Sequence, residues 1–289
     1  MGAAATTVSE QRVTLATRPA PRRAHAIPDE AQLALALPFH GVELAATGGM
    51  SLVYRAEDRT RRQRVAVKLL RPVLVGHRGI AASFAAELEV SRRIRHPGIV
   101  AVHELAAALG VPYLVLDWVD GSTLSDAGPL SVVRIADIGV QVAEALAAAH
   151  AAGVVHCDLK PDNILLARGT VRLIDFGMAR LPGRPRLAAD VVSGTPLYMA
   201  PEQWRGVADA SSDIYALGCV LYELLAGRAP FTGNFAQVMT AHLEHSPDPL
   251  RDVPPALDEL VLSMLAKAPD ARPSSMTEVA ARLSFFASR

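Results

Sequence analysis

Apolar and polar positions alternate through two short runs, Leu52-Val53-Tyr54-Arg55-Ala56 and Arg64-Val65-Ala66-Val67-Lys68. A period of two sends successive side chains to opposite faces of a strand. The charged stretch 57–63 between the runs reads as the turn of an antiparallel hairpin. The period lengthens over 81–95, where Phe84, Leu88 and Ile94 recur at helical spacing until His96-Pro97-Gly98 ends the pattern. Strand-like runs return at 99–105 and 112–116, and Gly121 opens a linker. Helical spacing then dominates over 132–152, 213–225, 234–244 and 257–266, with one strand-rich insert at 154–175. The pattern predicts an α+β molecule of two lobes. The first is small, antiparallel and β-rich, with one key helix; the second is larger and mainly α-helical. A ligand would bind in the cleft between them.

Composition narrows the class. Formal net charge is zero with a pI near 7.1, so no global field draws the chain toward nucleic acid or a membrane surface. Two cysteines, Cys157 and Cys219, make no disulfide framework and read as reduced thiols of a cytoplasmic protein. The Ala-rich stretch 135–155 is interrupted by Asp137, Gln141, Glu144 and His150, as in a buried amphipathic helix rather than a membrane span. Residues 1–38, rich in Ala, Thr, Pro and Arg, read as a flexible arm without the apolar core of a signal peptide. Oligomeric state is left open.

The rarest residues are the most informative. Only three lysines (Lys68, Lys160, Lys267) and two asparagines (Asn163, Asn234) occur among 289 residues. Lys is a compact point charge and Arg a planar fork, so a chain that has otherwise turned to Arg should keep Lys where a fork does not fit. Lys68 ends Val65-Ala66-Val67-Lys68. Lys160 and Asn163 lie in His156-Cys157-Asp158-Leu159-Lys160-Pro161-Asp162-Asn163. With the Gly48-Gly49-Met50 loop, Asp175-Phe176-Gly177, Gly194-Thr195-Pro196 and Ala200-Pro201-Glu202, these motifs follow one another in an order that resembles the protein kinases, specifically bacterial Ser/Thr kinases of eukaryotic type. The resemblance runs from about residue 40 to 285 and implies a protein-kinase-like fold, with residues 39–119 as the small lobe and hinge and 120–286 as the large lobe.

The resemblance also implies roles. ATP and Mg²⁺ (or Mn²⁺) would be the cofactors and proteins with Ser/Thr hydroxyls the substrates. Asp158 would orient or accept the hydroxyl proton, Lys160 would stabilise the transferring phosphoryl group, and Thr195 would brace both. Lys68 would reach the α- and β-phosphates, paired with Glu87, with Glu89 as the fallback. Asn163 and Asp175 would hold metal through hard oxygens. Ala46, Gly48, Gly49, Val53, Ala66, Leu116, Leu165 and the backbone of Asp117 and Val119 would complete the nucleotide site. Trp118 would point away from it. Glu202 and Arg272 would form a buried ion pair, and Asp213 would cap and anchor a helix beneath the catalytic loop. Lys267 receives no chemistry, and Lys267→Arg is expected to be silent.

Two departures stand out. The phosphate loop reads Ala46-Thr47-Gly48-Gly49-Met50-Ser51 and keeps only the middle glycine of Gly-x-Gly-x-x-Gly. A Cβ at Ala46 is expected to restrict the backbone by about 0.5–1 kcal/mol. Cys157 stands where an Arg ordinarily pairs with an activation-segment phosphate. Activity independent of phosphorylation there is therefore expected, with Ser193→Ala at the wild-type rate. A pseudokinase, binding nucleotide as a scaffold without transfer, is the competing reading, and a small-molecule kinase a third.

Overall fold

The computed structural model describes residues 29–76, 78–180 and 195–287, without the side chains of 78–83. Five antiparallel strands build the small lobe: β1 (His40–Thr47), β2 (Ser51–Asp58), β3 (Gln63–Leu70), β4 (Val102–Ala108) and β5 (Val111–Asp117), in the order β1-β2-β3-β5-β4. The expected hairpin is β2–β3. Along β3 the buried Val65, Val67 and Leu69 alternate with half-buried Ala66 and Lys68. One face of the sheet thus makes the core and the other faces the cleft. Strand 99–105 starts later than expected, at Val102. Ile99 instead forms a parallel bridge to Leu173, and Val100 N–H donates to the Leu173 carbonyl at 2.9 Å. That short ladder ties the small lobe to the large one.

A helix precedes the sheet. Within the expected arm, α1 (Glu30–Ala36) is closed by a capping box between Asp29 and Gln32, and Leu33 and Leu37 are buried in the small-lobe core. The arm reading therefore does not describe residues 29–38, because two leucines one turn apart find an apolar seat against the sheet. Residues 1–28 lie outside the described residues. The key helix is α2 (Arg78–Arg93), starting three residues before the expected 81.

The large lobe begins with β6 (Ser122–Thr123) and α3 (Val132–Ala151). It continues with β7 (Ile164–Ala167), β8 (Thr170–Leu173), α4 (Pro201–Trp204), α5 (Ala210–Ala226), α6 (Phe235–Glu244), α7 (Pro255–Met264) and α8 (Met276–Ala287). α4 and α8 fall outside the helices read from periodicity. Gly139 of α3 has no Cβ because one would sit 2.8 Å from Leu283 of α8 and 3.0 Å from Leu221 of α5. α5 starts at Ala210, capped by Asp209. Asp213, expected to cap and anchor that helix, lies inside it and does not cap it; the anchoring it provides is described below. Among the described residues no helix is long and apolar enough to cross a membrane.

Candidate active site

Lys68 is the meeting point of three elements. From β3 its Nζ donates to Glu87 Oε2 on α2 at 2.8 Å and to Asp175 Oδ1, after β8, at 2.8 Å. Glu89, the alternative partner, instead accepts from Arg93 one turn on at 3.1 Å. Burial opposes the charge on Lys68, but the Glu87 and Asp175 carboxylates more than offset it and its ammonium titrates above its ordinary value. Burial pushes the Glu87 carboxyl up even beside Lys68. For Asp175, Lys68 overcomes burial and holds the carboxyl below the usual range. Asp175 sits at φ +62°, in the left-handed region, where Gly177 N–H donates to its Oδ1 at 3.2 Å. Lys68 and Gly177 both use Oδ1, so Oδ2 is the oxygen left for a cation.

A second cluster centres on Asp158. Its Oδ1 accepts from the Thr195 amide at 2.9 Å and hydroxyl at 3.2 Å, and Lys160 Nζ lies 3.2 Å from Oδ2. Lys160 also donates to the Thr195 hydroxyl at 2.8 Å. Asn163 Nδ2 donates to the Asp158 carbonyl at 2.8 Å, which fixes the amide and leaves its hard Oδ1 as the acceptor end. The Asn163 carbonyl accepts from Ile174 N–H at 3.0 Å, so Asn163 adjoins the residue before Asp175. Two hard oxygens, Asn163 Oδ1 and Asp175 Oδ2, fit Mg²⁺, which keeps several waters and takes substrate phosphates rather than a full protein cage.

The catalytic-loop backbone is held from below. Asp213 Oδ2 accepts from His156 N–H at 2.8 Å and His150 Nε2 at 2.7 Å, and Oδ1 accepts from Cys157 N–H at 2.9 Å. Gln203 Nε2 donates to the Cys157 carbonyl at 2.8 Å. These bonds hold Cys157 at φ +68°, a conformation that L residues rarely adopt. Burial also pushes its thiol well above the ordinary value. A thiol so shielded is inert, which weighs against a redox role. Asp213 showed in the sequence as an anchor; His150 and Gln203 carried no signal there.

On the cleft face of the sheet, Val53 pairs with Lys68 and Ala66 with Leu116, which puts Val53, Ala66 and Lys68 on one side. Leu165 lies on β7 opposite Arg172, and Val119 packs on the small-lobe core. Asp117 ends β5 and its side chain bonds His103 at 2.7 Å. Trp118 donates to Asp120 at 2.8 Å, and Asp120 is gripped by Arg64 at 2.6 and 2.9 Å. Ala46 is an ordinary β1 residue paired with Val53. The expected restriction is therefore absent, since no positive φ is asked of it. The turn itself falls on Gly48, Gly49 and Met50, closed by Gly48 N–H to the Ser51 carbonyl at 2.8 Å.

Glu202 and Arg272 form the expected buried pair, bidentate at 2.8 and 2.9 Å. Ser193 and Gly194 lie outside the described residues. Lys267 departs most from expectation. Its Nζ donates to the Ala241 carbonyl at 3.1 Å and the Tyr215 hydroxyl at 3.3 Å, and lies 4.4 Å from the Phe231 ring centre. Its rarity was the signal, read for the other two lysines and not for this one.

Residues 39–285 match the protein kinase domain family. The chain is 40% identical over 254 residues to the serine/threonine-protein kinase Pkn1 of Myxococcus xanthus, covering 82% of this chain and 36% of that protein. It is 39% identical over 259 residues to the serine/threonine-protein kinase PknB of Mycolicibacterium smegmatis, covering 83% and 41%. PknB of Mycobacterium tuberculosis is 38% identical over 263 residues, with the same two shares, 83% and 41%. The chain thus spans about two fifths of the length of these relatives. A lysine shared between a helix glutamate and the Asp-Phe-Gly aspartate, set above an aspartate braced by Thr195 and Lys160, agrees with the match: the chain belongs to the protein kinase domain family.

Proposed function

We propose that the chain transfers the γ-phosphate of ATP to Ser and Thr hydroxyls of protein substrates. The observation that carries this reading is Lys68 bonded at 2.8 Å to both Glu87 and Asp175, which brings strand, helix and metal-binding loop to one point. Lys68 steadies the α- and β-phosphates while Glu87 holds it in place. Val53, Ala66, Leu116 and Leu165 enclose the adenine, and the backbone of Asp117 and Val119 reads its edge. Ala46, Gly48 and Gly49 cover the phosphates. Asn163 and Asp175 would hold Mg²⁺, which would neutralise phosphate charge during transfer.

Asp158 Oδ2 orients the acceptor hydroxyl and takes its proton as the oxygen attacks the γ-phosphorus and the bond to the β-phosphate oxygen breaks. Lys160 meets the negative charge on the transferring group. Thr195 already bonds Asp158 through amide and hydroxyl in the unmodified chain, and Cys157 offers no cation for a phosphate. Both support activity without activation-segment phosphorylation and a location of action in the cytoplasm is the simplest setting for its reduced thiols.

Incubation with labelled ATP and a Ser/Thr protein substrate tests the proposal. Wild type should transfer label, and Asp158→Asn should reduce kcat by roughly 10²–10⁴-fold. ATP binding without transfer by wild type would overturn it in favour of a nucleotide-binding scaffold.

A further inference from the structure

The segment that joins the two lobes is fastened to both of them, at neighbouring residues. Asp117 pairs with Val65 of β3, its N–H donates to the Ala101 carbonyl at 3.0 Å, and its side chain meets His103 of β4 at 2.7 Å. Three residues on, Asp120 returns to the same sheet. Arg64, next to Val65 on β3, grips it with both arms of the guanidinium, Nη1 to Oδ1 at 2.9 Å and Nη2 to Oδ2 at 2.6 Å. The Trp118 indole N–H is a third donor, reaching Oδ1 at 2.8 Å. Between these fixed ends the Val119 side chain packs on the small-lobe core. Residues 117–120 therefore form a closed bow carried by the small lobe.

Gly121 belongs to the other side. A Cβ there would lie 2.3 Å from the Leu166 carbonyl oxygen of β7 and 3.2 Å from Ala167 Cβ, so its bare backbone is pressed onto the large lobe. Ser122, the next residue, pairs with Leu166 in the ladder of β6 and β7. The chain thus passes from one lobe to the other between Asp120 and Gly121. An isolated exposed ion pair is worth little, and Arg64 and Asp120 are 49% and 44% exposed. A planar fork on a carboxylate, however, fixes orientation as well as distance. Trp118 and Arg64 together hold the Asp120 carboxyl below its usual range.

We infer that Arg64, Asp120 and Trp118 are positioning residues for ATP: their clamp holds the 117–120 bow in the shape that presents the Asp117 carbonyl and the Val119 amide to the adenine. Arg64 and Lys68 lie on one strand, so the clamp also keeps that edge in register with the charge that meets the phosphates. The inference rests on the reading of the Asp117 and Val119 backbone as the adenine edge. It assigns the clamp to ATP and not to the acceptor, since among the described residues none of its bonds reaches the Asp158 cluster.

Arg64→Gln in the full chain removes the fork, and Asp120→Ala removes the acceptor of all three donors. Both side chains are partly exposed, so neither change empties the core. For wild type, each variant and the double variant, KM for ATP and KM for a Ser/Thr protein acceptor are measured separately, with ADP affinity by calorimetry. Acrylamide quenching of Trp118, read in a Trp204→Phe background because the chain has two tryptophans, reports on the bow without nucleotide. KM for ATP and Kd for ADP should each rise about threefold to tenfold, the loss of one charge-assisted contact, with acceptor KM unmoved and Trp118 quenched more readily. The double variant should match the worse single one, as expected of groups acting through one bond. An acceptor KM that rises in step, effects that multiply, or unchanged ADP affinity or quenching would each overturn the inference. If wild type binds ADP but transfers no phosphate, it is the functional reading that has failed, and ADP affinity and quenching still decide whether the clamp shapes the adenine edge.

Discussion

Each of the three lysines holds a position where a point charge meets several oxygens at once. Lys68 Nζ touches Glu87 and Asp175 at 2.8 Å each, and Lys160 Nζ touches Thr195 at 2.8 Å and Asp158 at 3.2 Å. A guanidinium would have to push these partners apart. Lys68→Arg and Lys160→Arg should therefore each lower kcat/KM by about a hundredfold or more, measured as initial rates of transfer. Lys267→Arg should not be silent, because the fork has no room between the Ala241 carbonyl and the Phe231 face. Its pH behaviour is distinctive too. Burial holds Lys267 down to about 8 from 10.5. Between those values the unfolded chain keeps a proton that the folded one has released, so this group's contribution to stability rises with pH from 8 to 10.5. Below 8 the full penalty of the buried charge is present. Cys157 and Cys219 act oppositely above pH 9, since burial keeps both thiols protonated in the fold. Thermal melts of wild type against Lys267→Met from about pH 7 to 9 isolate the lysine: wild type should gain on the variant as pH rises.

At the scale of elements, α1 is the clearest case of structure added to the expected domain. Leu33 is fully buried against the sheet and Leu37 nearly so, while Leu35 between them is 88% exposed. Leu33→Ala should cost about 2–5 kcal/mol, read as a lower urea midpoint, and Leu35→Ala should cost almost nothing. The signal for this helix was in the sequence, since Asp29 followed by Gln32 has the spacing of a capping box. Seven residues among prolines and alanines gave too short a period to stand out. The longer elements were legible because their apolar period extends over several turns or pairs, as in β2, β3, α3 and α6. The site residues were legible through rarity and motif order. What periodicity does not carry is a contact between distant positions. Lys267 meeting Tyr215 52 residues away, or Gln203 meeting the Cys157 carbonyl 46 residues away, becomes visible only once the helices are packed.

Across the whole molecule, the two halves of the site hang from different cores. Phe84 and Leu88 of α2 pack into the small-lobe core, while Val90 on the same helix, with Ile94 and Ile99 just beyond its end, belongs to the large-lobe core. Glu87 lies between Phe84 and Leu88, within two turns of Ile94, so α2 is a strut whose lower end fixes how the Glu87 carboxylate meets Lys68. The acceptor side rests instead on α5 and α6 beneath the 196–198 turn. Ile94→Ala should loosen the strut at its foot, costing about 2–5 kcal/mol of stability, and its kinetic effect should fall on ATP: KM for ATP rises several-fold while KM for the acceptor stays put. Steady-state kinetics of wild type and Ile94→Ala, varying each substrate in turn, checks this. An Ile94→Ala enzyme whose acceptor KM rises together with its ATP KM would mean that the lobes move as one body, and that α2 couples the two substrates instead of serving one.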